Sequence, residues 1–244
     1  MSKRLKFFLS HLMISFLMAL LVVGLVFFIW YPAPLAQAVG VTQIFLMMLS
    51  IDVIVGPMLT LLVYKEGKKT LKIDLTVIIL IQITALLYGV YNIAQGRPLW
   101  LVQNGNRFEL VRNNEIMDEN IKLAKAEYQQ ASWFKPQFVA VNSGNTVEEK
   151  NKNLFEEVES GISAALRPER YTTLDQEKQN LVVHSRDLEE LKKFNDSPKI
   201  QTILKKYPKA NAWLPLRATT IDMTVLINKN TGEIVKIVDL RPWH

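Results

Sequence analysis

Residues 7–64 read FFLSHLMISFLMALLVVGLVFFIWYPAPLAQAVGVTQIFLMMLSIDVIVGPMLTLLVY. Between Lys6 and Lys65 the single charged side chain is Asp52, with His11 taken as neutral. A membrane-spanning helix needs about 20 consecutive apolar residues. The stretch is too long for one crossing, and Tyr31-Pro32-Ala33-Pro34 breaks it into two runs, about 7–31 and about 35–64. A third run, about 75–94, lies between Asp74 and Arg97 with no charge inside it. Three transmembrane helices are therefore expected within residues 1–96.

Beyond them the composition changes. The 244 residues are 49% hydrophobic and 21% charged, but residues 1–96 hold only 7 Lys/Arg and 3 Asp/Glu. The other 22 of 29 basic and 20 of 23 acidic residues fall in 97–244, an ordinary density for a water-facing domain. One soluble globule is excluded, and so is a purely transmembrane chain. The expected fold class is a membrane protein with three N-terminal transmembrane α-helices (1–96), followed by an α+β extracytoplasmic domain (97–244) with antiparallel β-hairpins. The net charge of +6 does not point to nucleic acid. A nucleic-acid binder gathers its excess on a folded surface, whereas most of this excess flanks apolar segments. The absence of cysteine excludes a disulfide framework, thiol catalysis and cysteine metal sites.

Positive charge sets the orientation. Lys3, Arg4 and Lys6 precede the first span, and Lys65, Lys68, Lys69 and Lys72 lie between the second and third. Both segments are assigned to the cytoplasm, which puts the 31–34 turn and everything after about residue 95 on the far side. Trp30, Tyr31, Tyr88, Tyr91 and Trp100 cluster at that outer boundary as an aromatic belt. Ala36-Gln37-Ala38 imitates a secretory cleavage site, but the apolar run before it, at about 25 residues, exceeds the roughly 7–15 of a signal peptide. Within the spans, Asp52 is the residue that needs a reason, because a charge at mid-membrane costs several kcal/mol. It precedes Gly56-Pro57, where proline removes a backbone donor. Gln82 and Thr84 lie at similar depth and are expected to hydrogen-bond it. Asp52, Gly56, Pro57 and Gln82 are the candidate intramembrane contacts. They are read either as glue within the bundle or as the surface that meets a partner's helix or an ion.

In the outer domain, 99–103 and 106–111 around Asn104-Gly105 form a hairpin signal. Met117, Ile121, Ala124, Tyr128 and Ala131 recur at helical spacing, and 138–141 reads as a strand. Thr146 and Glu149 make a capping box for a helix to about Ser160, with Leu154, Phe155 and Val158 apolar. Leu181-Val182-Val183 reads equally as helix or strand, and Ser197-Pro198 opens a short helix. Alternation over 221–227, a turn at 228–232 and the run 233–240 give a second hairpin.

The chemistry of catalysis leaves little trace. The chain has no His-Glu-x-x-His, Gly-x-Ser-x-Gly, phosphate loop or Gly-x-Gly-x-x-Gly. Only His184 and His244 lie beyond residue 96. Glu148-Glu149 and Glu189-Glu190 read as solvated helix faces. No cofactor, no metal and no catalytic residue is expected. A membrane-tethered periplasmic enzyme and a ligand-binding sensor stay as alternatives.

Several segments, in order along most of the chain, are similar to one family. They are residues 3–12 (KRLKFFLSHL), Asp52-x-x-x-Gly56-Pro57-x-Leu59-Thr60, Tyr88-Gly89, Arg97-Pro98, residues 107–111 (RFELV), Leu214-Pro215-Leu216 and Arg241-Pro242-Trp243. Together they resemble the type IV pilin accessory proteins (the TfpX/TfpZ group). The resemblance implies a non-enzymatic, chaperone-like protein of the bacterial inner membrane. It would assist pilin stability and pilus assembly, with pilin and the pilus assembly machinery as partners beside the lipid bilayer. Under it, Arg107, Phe108, Trp213 and Trp243 become candidate periplasmic contacts, with burial in the core as the plainer reading of each aromatic.

Overall fold

Apolar residues on nearly every face make the first hundred residues helical without a water side. In the computed structural model, Ser2 accepts a hydrogen bond from the Leu5 N–H to open α1 (Lys3–Gly24), which runs on as a wider π-turn over Leu25–Trp30. The structure describes residues 1–244 apart from Ser143 and Asn145, and apart from the side chains of Asp118, Lys150, Asn153 and Leu154. Next come a short helix α2 (Leu35–Val39), then α3 (Val41–Val63) and α4 (Leu71–Gln95). Among the described residues, α1 with its π-turn, α3 and α4 are long and apolar enough to cross a membrane. Their outward faces carry bare Leu21, Phe28, Leu62 and Ile81, a contiguous apolar surface that water does not tolerate.

The second long helix begins at Val41 rather than near residue 35. The intervening α2 is separate because it belongs to the outer domain's core. Leu35 and Ala38 pack with Leu101, Phe108, Leu214 and Val225. Its end is tied down as well: the Thr220 and Ile221 N–H groups both donate to the Ala38 carbonyl, and Thr220 Oγ1 donates to Val39 O. Gly40 then turns the chain into α3 at φ +75°, a left-handed conformation that suits glycine.

Residue 98 opens the sheet. Its strands are β1 (Pro98–Asn104), β2 (Arg107–Arg112), β3 (Gln137–Val141), β4 (Tyr171–Thr172), β5 (Arg186–Asp187), β6 (Ala212–Arg217), β7 (Met223–Asn228) and β8 (Glu233–Val238). Their order is β4-β3-β1-β2-β6-β7-β8, with β5 also pairing β6. Both expected hairpins form, β1–β2 and β7–β8. The sheet is nevertheless mixed, since β1 pairs β3 and β2 pairs β6 in parallel. Alternation along β6 and β7 covers both faces: Leu214, Leu216, Val225 and Ile227 point toward α2, while Trp213 and Leu226 pack with Leu191 and Ile200 behind. A third cluster around Trp100, Tyr128 and Tyr171 closes the back of β1 and β3.

The helices outside the sheet differ from the periodicity in places. The 117–131 pattern is two short helices, α5 (Asp118–Leu123) and α6 (Ala126–Gln129). Ala124 turns extended between them so that it and Tyr128 both reach the core. The capping box of Thr146 and Glu149 opens α7 (Val147–Ser160), but Phe155 and Val158 on it stay exposed. The Leu154 side chain lies outside the described residues. The segment around Leu181 is a helix, α8 (Lys178–His184), and α9 (Ser197–Lys206) follows the Ser-Pro start. The strand β6 gives no sequence signal, because Pro215 sits in its middle. There the flank of β6 has left β5, which pairs Ala212 and Trp213, and has not yet met β2, which begins at Leu216. A proline in a central strand is tolerated at such a gap.

Candidate functional site

The three long helices are packed together at the end that carries the outer domain. Near Trp30 they are joined by Val26, Phe45, Leu49 and Ile93, with Tyr31 donating to Ile93 O at 2.7 Å. Toward Lys3, α1 and α4 each pack along α3 and reach each other through the side chains of His11, Ser15 and Gln82. Between them lies a cavity of about 500 Å³ with walls of Met18, Leu49, Val53, Ile79, Ile83 and Leu86.

The same cavity is lined by a chain of polar groups. Thr60 Oγ1 and His11 Nδ1 are 2.7 Å apart, and His11 Nε2 and Gln82 Oε1 are 2.9 Å apart. In the neutral ring, Nε2 donates to the amide oxygen and Nδ1 accepts from the threonine. Gln82 Nε2 in turn donates to Ser15 Oγ and to the Asp52 backbone carbonyl, each at 2.9 Å. Gly56 makes the room. A Cβ there would lie 1.9 Å from Gln82 Oε1, so only glycine lets the amide cross the α3 backbone.

Asp52 is therefore placed differently from the expectation. Gln82 bonds its backbone, not its carboxyl, and Thr84 faces outward. Among the described residues Asp52 Oδ2 is buried with no hydrogen-bond partner. Pro57, one turn on inside α3, has no N–H, which leaves the Val53 carbonyl without its i+4 donor. The slot thus presents unmet hydrogen-bonding capacity on an apolar wall. Buried polar atoms left so cost about 1–3 kcal/mol each, and a partner that supplies the missing group recovers that cost.

The four outer candidates separate by burial. Phe108 and Trp213 have no exposed surface, so neither offers a contact. Phe108 stacks edge-on against Phe138, and Trp213 Nε1 donates to Asp187 O at 2.9 Å. Arg107 pairs with Glu109 at 3.1 Å, which also accepts from Asn104 and Ser163. Trp243 is half-buried and donates to Asp222 Oδ2 at 2.7 Å. Around it Asn195 clamps both the N–H and the carbonyl of Arg241. These motifs hold the domain together, and only Arg107 and Trp243 keep a face outside.

His11, Ser15 and Thr60 were not singled out by the sequence reading. The signal existed: His11 and Ser15 are four residues apart, as are Asp52, Gly56 and Thr60, so each set lies on one helix face. What hid them was that Asp52, as the one charge in the run, drew the reading to itself and to Gln82 and Thr84. Burial in the outer domain also pushes the hydroxyl of Tyr171, which donates to Ala165 O, far above its ordinary pKa and keeps it neutral.

Three helices long and apolar enough to cross a membrane, with a polar-lined slot between them and a mixed sheet beyond, fit a membrane protein. The chain belongs to the fimbrial assembly protein family, as its motifs indicated. The family model described as fimbrial assembly protein FimB matches residues 1–40. Over 185 residues the chain is 31% identical to the "Fimbrial assembly protein, serogroup E1" of Dichelobacter nodosus, covering 75% of this chain and 68% of that one. To the serogroup I protein of the same organism it is 30% identical over 197 residues, 80% of this chain and 72% of the other. A third, from serogroups C1 and C2, is 34% identical over 116 residues, 47% of this chain and 88% of that one. No solved structure matches the chain. A role in assembling type IV pili follows from the family.

Proposed function

We propose that the protein acts on pilin in the bacterial inner membrane, without catalysis, by holding the subunit before it is assembled. In this reading α1, α3 and α4 span the bilayer with the N-terminus in the cytoplasm, and residues 97–244 form a periplasmic domain. The two lysine-rich segments support the orientation, since they lie together at one end of the bundle: Lys3 pairs with Glu66, and Arg4 Nε donates to Leu61 O at 2.6 Å. The observation that carries the proposal is the slot between α1 and α4, inside which Asp52 Oδ2 has no partner among the described residues. A pilin waiting in the membrane is one apolar helix with a head outside. The slot would take the helix and the domain, joined to α4 through Gly96 and Arg97 alone, would meet the head.

Deletion of the gene tests the role. Steady-state pilin and surface pili are expected to fall, and the intact chain should restore both while Asp52→Leu restores less. Unchanged pilin and normal piliation in the deletion strain would overturn the proposal.

A further inference from the structure

Two of the most exposed aromatic side chains lie next to the ends of the apolar helices. Trp133 is 64% exposed and Phe134 70% exposed, in the short loop between α6 and β3. That loop is bound to the bundle from two sides. The Trp30 indole N–H, on the last turn of the first long helix, donates to the Trp133 carbonyl at 3.0 Å. Arg97, whose Nη1 caps α4 by donating to Ala94 O at 3.0 Å, lays its guanidinium 4.4 Å from the centre of the Trp133 ring. The loop's own bonds hold the pair outward: Ser132 Oγ accepts from the Phe134 N–H at 3.1 Å, and Gln137 Oε1 accepts from the Ser132 N–H at 3.4 Å. Exposed Lys135 follows.

The expected aromatic belt is rearranged accordingly. Trp100 and Tyr31 are 2% and 1% exposed and are core residues, while Tyr88 and Tyr91 on α4 are bare. Trp133 and Phe134, which no apolar run announces, are held beside the ends of the first long helix and α4 through Trp30 and Arg97. Amphipathic aromatic rings with a cation beside them settle at the headgroup level of a bilayer.

We propose that the 132–135 loop is a lipid-interface anchor, with Trp133 and Phe134 seated in the outer-leaflet headgroup region and Lys135 facing lipid phosphate. This rests on the reading that α1, α3 and α4 span the membrane. The anchor, the α2 segment and the α4–β1 junction then hold the outer domain at a set height and tilt. The chemistry favours lipid as occupant because the exposed pair is bonded to the ends of two apolar long helices and carries a tryptophan-cation pair there.

The chain has no cysteine, so single nitroxide labels at Phe134→Cys, Ile81→Cys and Lys205→Cys can be compared in phosphatidylglycerol/phosphatidylethanolamine vesicles. Ile81 is bare on α4, and Lys205 is exposed on α9, on the sheet face opposite α2. The label at 134 is expected to show an oxygen-to-nickel accessibility ratio several-fold above that at 205 and below that at 81. A ratio at 134 equal to that at 205, with 81 in hydrocarbon, overturns the anchor alone. Water at 81 defeats the spanning reading, and the anchor falls with it. A label at 134 that is wet in vesicles and shielded only when pilin is added makes the loop a protein contact and overturns the lipid assignment.

Discussion

Gln82 is the residue on which the bundle's polar chain turns. It bonds His11, Ser15 and the Asp52 backbone at once, and it can do so only because residue 56 has no side chain. Gly56→Ala is therefore predicted to expel the amide and destabilise the detergent-solubilised protein by about 1–2 kcal/mol, since hydrogen bonds between membrane helices are modest singly. In a Gln82→Ala background the same change should do much less, because contacting residues are not additive. Equal losses in both backgrounds, measured by denaturant or thermal unfolding, would remove Gly56 from this role. Residues at this scale were partly legible. Asp52, Gly56, Pro57 and Gln82 stood out as polar or helix-breaking residues in an apolar run, and the i, i+4 stripes were there to be read. The partners could not be read, because which face of one span meets which face of another is decided by packing between residues 30 to 71 apart in the chain.

Among the elements, α2 joins the two halves of the molecule. It lies between two long apolar helices in sequence, yet Leu35, 2% exposed, and Ala38, fully buried, fill the core of a sheet whose first strand starts at residue 98. Leu35→Ala is expected to lower the stability of the outer domain by about 2–5 kcal/mol, the usual effect of a core leucine truncation. Leu62→Ala, on the bare face of α3, should leave it unchanged, and tryptophan fluorescence during unfolding distinguishes the two. Local signals sufficed for the elements they govern: the spans from apolar length, the two hairpins from alternation and turn residues, α7 from its capping box. They failed where a long-range contact overrode them. Pro215 argued against a strand that β7 imposes, the 117–131 periodicity was broken to bury Ala124 and Tyr128, and the apolar run concealed the end of α2.

At the scale of the whole molecule, basic residues gather at one end of the bundle and the sheet domain attaches at the other. With that charge bias, alkaline phosphatase fused after His244 is predicted to be active and the same enzyme inserted at Gly67 inactive, because it needs disulfides that form only outside the cytoplasm. The reverse pattern would invert the topology. Three structural ties, through α2, Trp30 and Arg97, couple the bundle to the domain, so a subunit held in the slot would also find the domain in a defined position. The claim that the slot holds pilin is tested most directly by a photo-crosslinking residue placed in turn at Met18, Ile83 and Leu62 in cells making pilin. Met18 and Ile83 line the cavity, and Leu62 lies outside it. Pilin adducts are predicted from Met18 and Ile83 and not from Leu62; adducts from Leu62 alone, or from none of the three while pilin is abundant, would contradict the account.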